Sequence, residues 1–306
     1  MTCRVARSHS PRRRRRAIVA PAALLLWLAV GCTTAAPRAA RPVEAIAAPA
    51  PAGCFDATGS EPARRRLAEQ VLLDAADGEA LYTLADGLKP ISSGRAFVLQ
   101  VAPTVSRAGL DSLDHLREAL TLLSCGEIGA FVHGFTAPQG DTIVRRSFDV
   151  MVYHRGAVAR LIARHASFFG TLGITPAADV REVLAAVENA PRADRWRGYG
   201  LLFGYPEAAV DFFVAAGVEG DRTRALVPRD FRRIETWRKY PVERDGPPVA
   251  SSFVYAVPKG AAESEGDRAL REAAAPIYER YVRERARRIT ADSTGALALW
   301  RDWLRR

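Results

Sequence analysis

Histidines are the first residues of this 306-residue chain whose type could support chemistry. His9 stands in an arginine-rich leader, and His133 lies in an apolar run beside Gly134. His154 closes the run SFDVMVY, and His165 falls on the stripe Val158, Leu161, Ile162, His165 and Phe168. Three imidazoles and an open fourth position would suit zinc. The spacing argues against it: no HExxH links His154 to His165, and nothing brings His133 to either. No metal or other cofactor is expected. With Asp149 or Asp211 as the orienting carboxylate, His133, His154 or His165 could serve as the base of a hydrolase assembled from distant parts of the chain. Alternation along SFDVMVY groups Asp149 with Met151 and Tyr153, however, and turns His154 to the opposite face. No GxSxG elbow surrounds Ser92, Ser93, Ser251 or Ser252. Gly198 and Gly200 lack the third glycine of a dinucleotide turn, and no GxxxxGK is present. Arg197, Tyr199, Tyr205, Asp211 and Trp237 remain as candidates to line a pocket, because apolar walls with a few polar groups suit small molecules.

Most of those pocket candidates sit in or beside one stretch, WRGYGLLFGYPEAAVDFFVAAG, from Trp196 to Gly217. It reads as two helices with a tight corner. Gly204 suits the left-handed residue that closes the first, and Pro206 the first turn of the second. Val210, Phe213 and Val214 then recur at helical spacing, with Gly217 as the expected stop. Aromatics spaced in this way serve a core more often than a ligand.

Around the corner the elements alternate. Helices are expected over 61–76, 110–124, 155–169 and 178–187, with strands over 96–101, 128–135 and 147–153. A late antiparallel pair is expected over 233–240 and 251–257. A helix over 265–289 containing Pro276 and a short helix carrying Trp300 and Trp303 close the chain. Strands mixed among helices predict an α/β class: a single domain, 61–306, with a mixed sheet covered by helices and a helical C-terminus.

Ahead of that domain, Arg4, Arg7 and Arg12 to Arg16 precede the apolar stretch AIVAPAALLLWLAVG, which ends at Cys32. A basic region followed by an apolar one too short to span a bilayer is the pattern of a signal peptide, here residues 1–31. Ala29, Val30, Gly31 and Cys32 resemble the lipobox of bacterial lipoproteins, with Ala29 where the commonest box has leucine. The resemblance implies acylation of Cys32 (palmitate among the chains) and attachment to a membrane. Thr33 in place of aspartate implies the outer membrane, with the protein facing the periplasm. Acyl chains contribute about 0.8 kcal/mol per buried CH₂, so two or more anchor a protein durably. Residues 32–60, rich in Ala and Pro, read as the lipidated tether.

The chain carries 44 basic and 34 acidic side chains. Seven of the arginines fall within the leader, which leaves 37 basic against 34 acidic groups in the mature chain. So even a balance gives no ground for a nucleic-acid partner. Export also leaves two thiols, Cys54 and Cys125, in an oxidising compartment, where a disulfide between them is expected.

Four blocks, GLKPISS, VMVYHRGAVARLI, GLLFGYPEAAVDFF and ETWRKY, resemble in order those of a family of uncharacterised, mostly clostridial bacterial proteins. In that family the GYP block is preceded by His-Glu-Ile-Gly. Here those positions hold Arg197, Gly198, Tyr199 and Gly200. The resemblance implies a shared fold over 84–240 and supplies no chemistry. The combined reading is a lipid-anchored cell-envelope protein, a ligand- or protein-binding or structural module rather than an enzyme. Its expected partners are the membrane through Cys32 and an envelope protein or a small molecule, with a dispersed His/Asp hydrolase as the alternative.

Overall fold

The computed structural model describes residues 53–101, 106–135, 145–238, 253–289 and 295–305, which all belong to one compact unit spanning 47–306. The expected leader, Cys32 and the tether up to residue 52 lie outside the described residues, as do Lys239, Tyr240, Ser251 and Ser252.

Helix α1 (Pro62–Asp77) begins where Glu61 accepts a 3.0 Å hydrogen bond from the Arg64 amide and Pro62 takes the first turn. Then come α2 (Leu81–Asp86), β1 (Ile91–Gln100) and α3 (Arg107–Leu120), which Ser106 caps through the Gly109 amide. A 3₁₀ turn (Thr121–Leu123) leads to β2 (Ile128–Gly134) and β3 (Arg145–His154). The helices α4 (Arg155–Arg164), α5 (Ala166–Thr171), α6 (Val180–Asn189), α7 (Arg192–Leu202) and α8 (Glu207–Thr223) follow. Strands β4 (Arg229–Arg233) and β5 (Val254–Pro258) precede α9 (Glu265–Arg288) and α10 (Ala296–Trp303). Ser264 and Asp267 close a reciprocal capping box at the start of α9.

The α/β class and the helical C-terminus are those the sequence predicts. The strands form two antiparallel sheets, in the orders β1-β3-β2 and β4-β5, rather than one mixed sheet. Both β1 and β2 run antiparallel to β3 and hence parallel to each other, but β3 lies between them and keeps them from pairing.

The three-stranded sheet divides two cores. Val150 and Val152 face one, built from α1, α2, α3, α9, α10 and β5 around Tyr82, Tyr281 and Trp300. Ile91, Phe131 and Met151 face the other, built from α4 to α8. The period of two along β3 therefore serves both sides, which is why that strand is apolar throughout its inner half.

Several boundaries differ from expectation for physical reasons. The domain starts before residue 61, because Phe55 is fully buried and Cys54 forms a disulfide with Cys125 across 71 residues. In the chain-entropy picture a loop of that length contributes roughly 4 kcal/mol. The expected helix 155–169 breaks at His165, which leaves helical geometry at φ −109°, ψ 36°. Helix α8 runs through Gly217 and stops at Arg224 in the left-handed region. A Cβ at position 217 would sit 2.3 Å from the Trp196 ring, so this glycine lets α7 and α8 approach. The expected strand 233–240 is replaced by β4 just before it. Beyond β4 the backbone is held elsewhere, Ile234 N–H by the Phe253 carbonyl and Arg238 N–H by the Asp77 carbonyl.

Candidate functional site

The turn Gly87–Pro90 between α2 and β1 meets the corner Gly204–Pro206 between α7 and α8 at backbone distance. A Cβ on Gly204 would lie 3.2 Å from the Leu88 carbonyl oxygen, and φ there is 70°. Close approach and backbone sign together require glycine.

Lys89 extends from this turn into the interior and is wholly buried. Its ammonium donates to Glu79 Oε2 at 2.9 Å and stands 3.9 Å from the Phe253 ring centre, 5.1 Å from Tyr205 and 5.5 Å from Phe203. The ring faces supply negative potential where water is excluded. Burial pulls the ammonium pKa down, and the Glu79 carboxylate acts against that shift. Glu79 Oε1 accepts the Ser93 amide at 3.0 Å, and the Ser93 hydroxyl donates to Asp149. Asp149 also accepts the Arg95 amide at 3.1 Å. Burial raises its pKa to about 6, opposed by the Ser93 hydrogen bond and reinforced by the charge on Glu79. The bulge in β1 between Ser93 and Arg95 aims both donors at this one carboxylate.

Outside the Lys89 chamber, across Tyr205, lies a cleft of about 290 Å³. The Gly87–Pro90 turn, α4, the Gly204–Pro206 corner and the start of α9 enclose it. Leu161 and Leu201 form apolar floor, and Arg160, Arg164, His165 and Glu207 supply its polar groups. His165 Nε2 lies 3.4 Å from Glu207 Oε1. Among the described residues no carboxylate stands within ion-pair distance of Arg160 or Arg164, and both are exposed. Leucine walls, Tyr205 and two guanidinium groups outside ion-pair distance of any described carboxylate suit a small anionic molecule.

The residues singled out from the sequence disperse over the fold. His133 lies 3.1 Å from the Tyr199 hydroxyl, which donates to Glu188 at 2.6 Å; burial lowers the His133 pKa. His154 caps α4 by accepting the Ala157 amide at 3.3 Å, and burial lowers its pKa also. His165 reaches the cleft, whereas Asp149 stays inside the network with Ser93. Arg197 and Asp211 pair with each other at 2.5 Å on the exposed side of the α7–α8 corner. Trp237 stacks under the Arg285 guanidinium at 4.5 Å. Of the pocket candidates, Tyr205 alone lines the cleft. Among the described residues no histidine stands within ion-pair distance of Asp149 or Asp211, and no group of three metal-ligating side chains forms. Gly198 and Gly200 are packing glycines, since a Cβ at either would press within 3 Å of Val187 or Val210.

Sequence reading passed over Lys89, Glu79, Arg160 and Arg164. The available signal was the block GLKPISS, which places a lysine between apolar neighbours. Three of the four quoted blocks meet around the cleft: GLKPISS supplies Gly87, Leu88 and Pro90, VMVYHRGAVARLI supplies Arg160, and GLLFGYPEAAVDFF supplies Tyr205. No family model matches the chain, and no curated protein or solved structure shows significant similarity to it.

Proposed function

We propose that this protein is a lipid-anchored module of the bacterial cell envelope that binds a small anionic molecule in the cleft between α4 and the α7–α8 corner. The observation that carries the binding half is the pair Arg160 and Arg164, without carboxylate partners among the described residues, beside Tyr205 and an apolar floor. The buried Lys89 network holds the two turns that frame the cleft and takes no direct part in binding. The anchor half rests on the resemblance of Ala29 to Cys32 to a lipobox. No helix among the described residues is long and apolar enough to cross a membrane.

Binding is tested by thermal shift of the full chain with inorganic phosphate, glycerol phosphate, citrate and succinate. A saturable rise in Tm with at least one of them is expected, because a ligand specific to the native state stabilises it by mass action. Arg160→Glu with Arg164→Glu should abolish that rise without lowering the Tm of the free protein. Identical shifts in the double variant would sink the proposal. Metabolic labelling with palmitate, lost in Cys32→Ser, tests the anchor separately.

A further inference from the structure

Strand β2 forms one edge of the three-stranded sheet. Its ladder alternates in a way that can be assigned residue by residue. Phe135 N–H donates to the Ser147 carbonyl, and the register pairs Phe131 with Met151 and His133 with Asp149, so the odd-numbered residues direct their backbone groups toward β3. Ile128 points the other way and exchanges both of its bonds with Cys125. Ala130 and Val132 therefore present N–H and C=O groups outward, and among the described residues none of these four groups has a partner. An edge left in this state is a template for another strand.

The edge is also recessed. A groove of about 400 Å³ touches Ala130, Phe131 and Val132 and is lined from both faces of the sheet, by Arg117 of α3 and by Arg181 of α6, so it opens along the strand's edge. Leu120 at the end of α3 walls one side and Arg181 of α6 the other. The wall on the first core's side carries Arg117, which pairs with Asp114 at 3.1 Å. On the second core's side the Arg181 guanidinium lies 5.5 Å from the Phe131 ring centre, with no carboxylate in ion-pair range among the described residues. Among the described residues no acidic side chain lines the groove.

We propose that this groove binds an extended acidic peptide segment of a partner protein, which adds to β2 as a fourth strand. Main-chain hydrogen bonds to Ala130 and Val132 supply affinity, and the arginines supply selection. The geometry specifies more than negative charge. Successive side chains of an added strand alternate between faces, and Arg117 and Arg181 stand on opposite faces of the sheet. Two acidic residues adjacent in sequence therefore reach both arginines. The same two residues separated by one position would share a face and reach a single arginine.

The test uses the full chain and two isomeric peptides, Ac-TVEEVT-NH2 and Ac-TEVEVT-NH2, with Ac-TVKKVT-NH2 as the charge control. Titration should show the adjacent-acid peptide binding about tenfold more tightly than its isomer, with no detectable binding of the lysine peptide. Amide exchange should slow at Ala130 and Val132 on addition of the first peptide. Arg181→Glu should erase the preference between the isomers. Val132→Pro removes an outward N–H while leaving every β2–β3 bond in place, so it should weaken binding of the adjacent-acid peptide about tenfold. Circular dichroism of that variant checks that the fold is retained, and Val132→Ala controls for the lost side chain. Equal binding of all three peptides, absence of binding, or protection of Ala130 and Val132 that grows with protein concentration alone would overturn the proposal. The last of these would mean that a second copy of the chain occupies the edge.

Discussion

Asp77, the last residue of α1, and Glu79, two residues beyond it, are each neutralised by a cation inside the fold, and the two pairs are built on opposite principles. Asp77 takes both oxygens of its carboxylate to Arg285, at 2.6 and 2.8 Å, and accepts the Tyr281 hydroxyl at 2.8 Å. Arg285 keeps 18% of its side chain exposed and rests on Trp237. Glu79 meets Lys89 through a single 2.9 Å contact, and the rest of the ammonium shell is aromatic. Lys89 is completely dry. A guanidinium satisfies a carboxylate by matching its geometry, with solvent still at hand, whereas an ammonium in a ring-lined chamber depends on that one carboxylate and on quadrupoles. The Asp77 pair clamps α9 to α1. The Glu79 pair lies where the two cores meet and fixes the turns that frame the cleft.

The largest expected effect follows from that dependence. Lys89→Ala leaves Glu79 charged and without its partner in a dry chamber, which should cost ~3–5 kcal/mol in urea unfolding at pH 7. Arg285→Ala should cost less, ~2 kcal/mol, because water can reach Asp77 in its place. Equal losses would erase the distinction between the pairs.

Next in size is a pH effect confined to the Glu79 side. The Asp149 carboxyl titrates at about 6 in the folded protein and near 3.9 when unfolded. Between those values the native state keeps a proton that the unfolded chain has released, so stability falls as pH rises from 4 to 6. Above that window the ionised carboxylate costs about 3 kcal/mol. Asp149→Asn should flatten unfolding free energy across pH 4–6 and be at least as stable as wild type at pH 8. A variant that keeps the wild-type slope would assign the titration to another group.

How much of this could be read in advance depends on whether a residue acts along the chain or across it. Gly204, Pro206 and the helical stripe of α4 announce themselves by local rules, and the fold class follows from such signals. The glycine at 217 was misread because its reason is Trp196, 21 positions away on another helix. The same holds for the site. A histidine at a strand end invites a catalytic guess, yet His154 caps a helix. Lys89, Glu79 and Asp149 form their network only after β1 bulges and β3 pairs beside it, and no spacing in the sequence encodes that meeting. Arg160 and Arg164 become cleft residues only because the Gly204–Pro206 corner packs beside α4, and no spacing in the sequence encodes that either.

A smaller effect probes the other pair. Arg285→Lys keeps the charge but gives up the two-pronged contact and the stacking on Trp237, and should cost ~1–2 kcal/mol. A cost near zero would mean that charge alone holds α9 to α1.

The smallest effect is expected where both charges of the dry pair are removed together. Lys89→Met with Glu79→Gln replaces an ion pair with groups of similar volume. The thioether can rest against Phe203, Tyr205 and Phe253 as the lysine stem does, and the new amide oxygen can still accept the Ser93 amide. Desolvating two charges is avoided, so the double variant should unfold within ~1 kcal/mol of wild type even though Lys89→Ala alone is severe. With the single variants Lys89→Met and Glu79→Gln completing the cycle, the coupling measures what the charges do for each other, apart from what the side chains do by filling space. If the double variant is as unstable as Lys89→Met alone, the charge on Glu79 is not what destabilises that single variant and the ion pair is incidental. If it is stable but loses the cleft's response to anions, the charges serve to keep the Gly87–Pro90 turn in place against Tyr205.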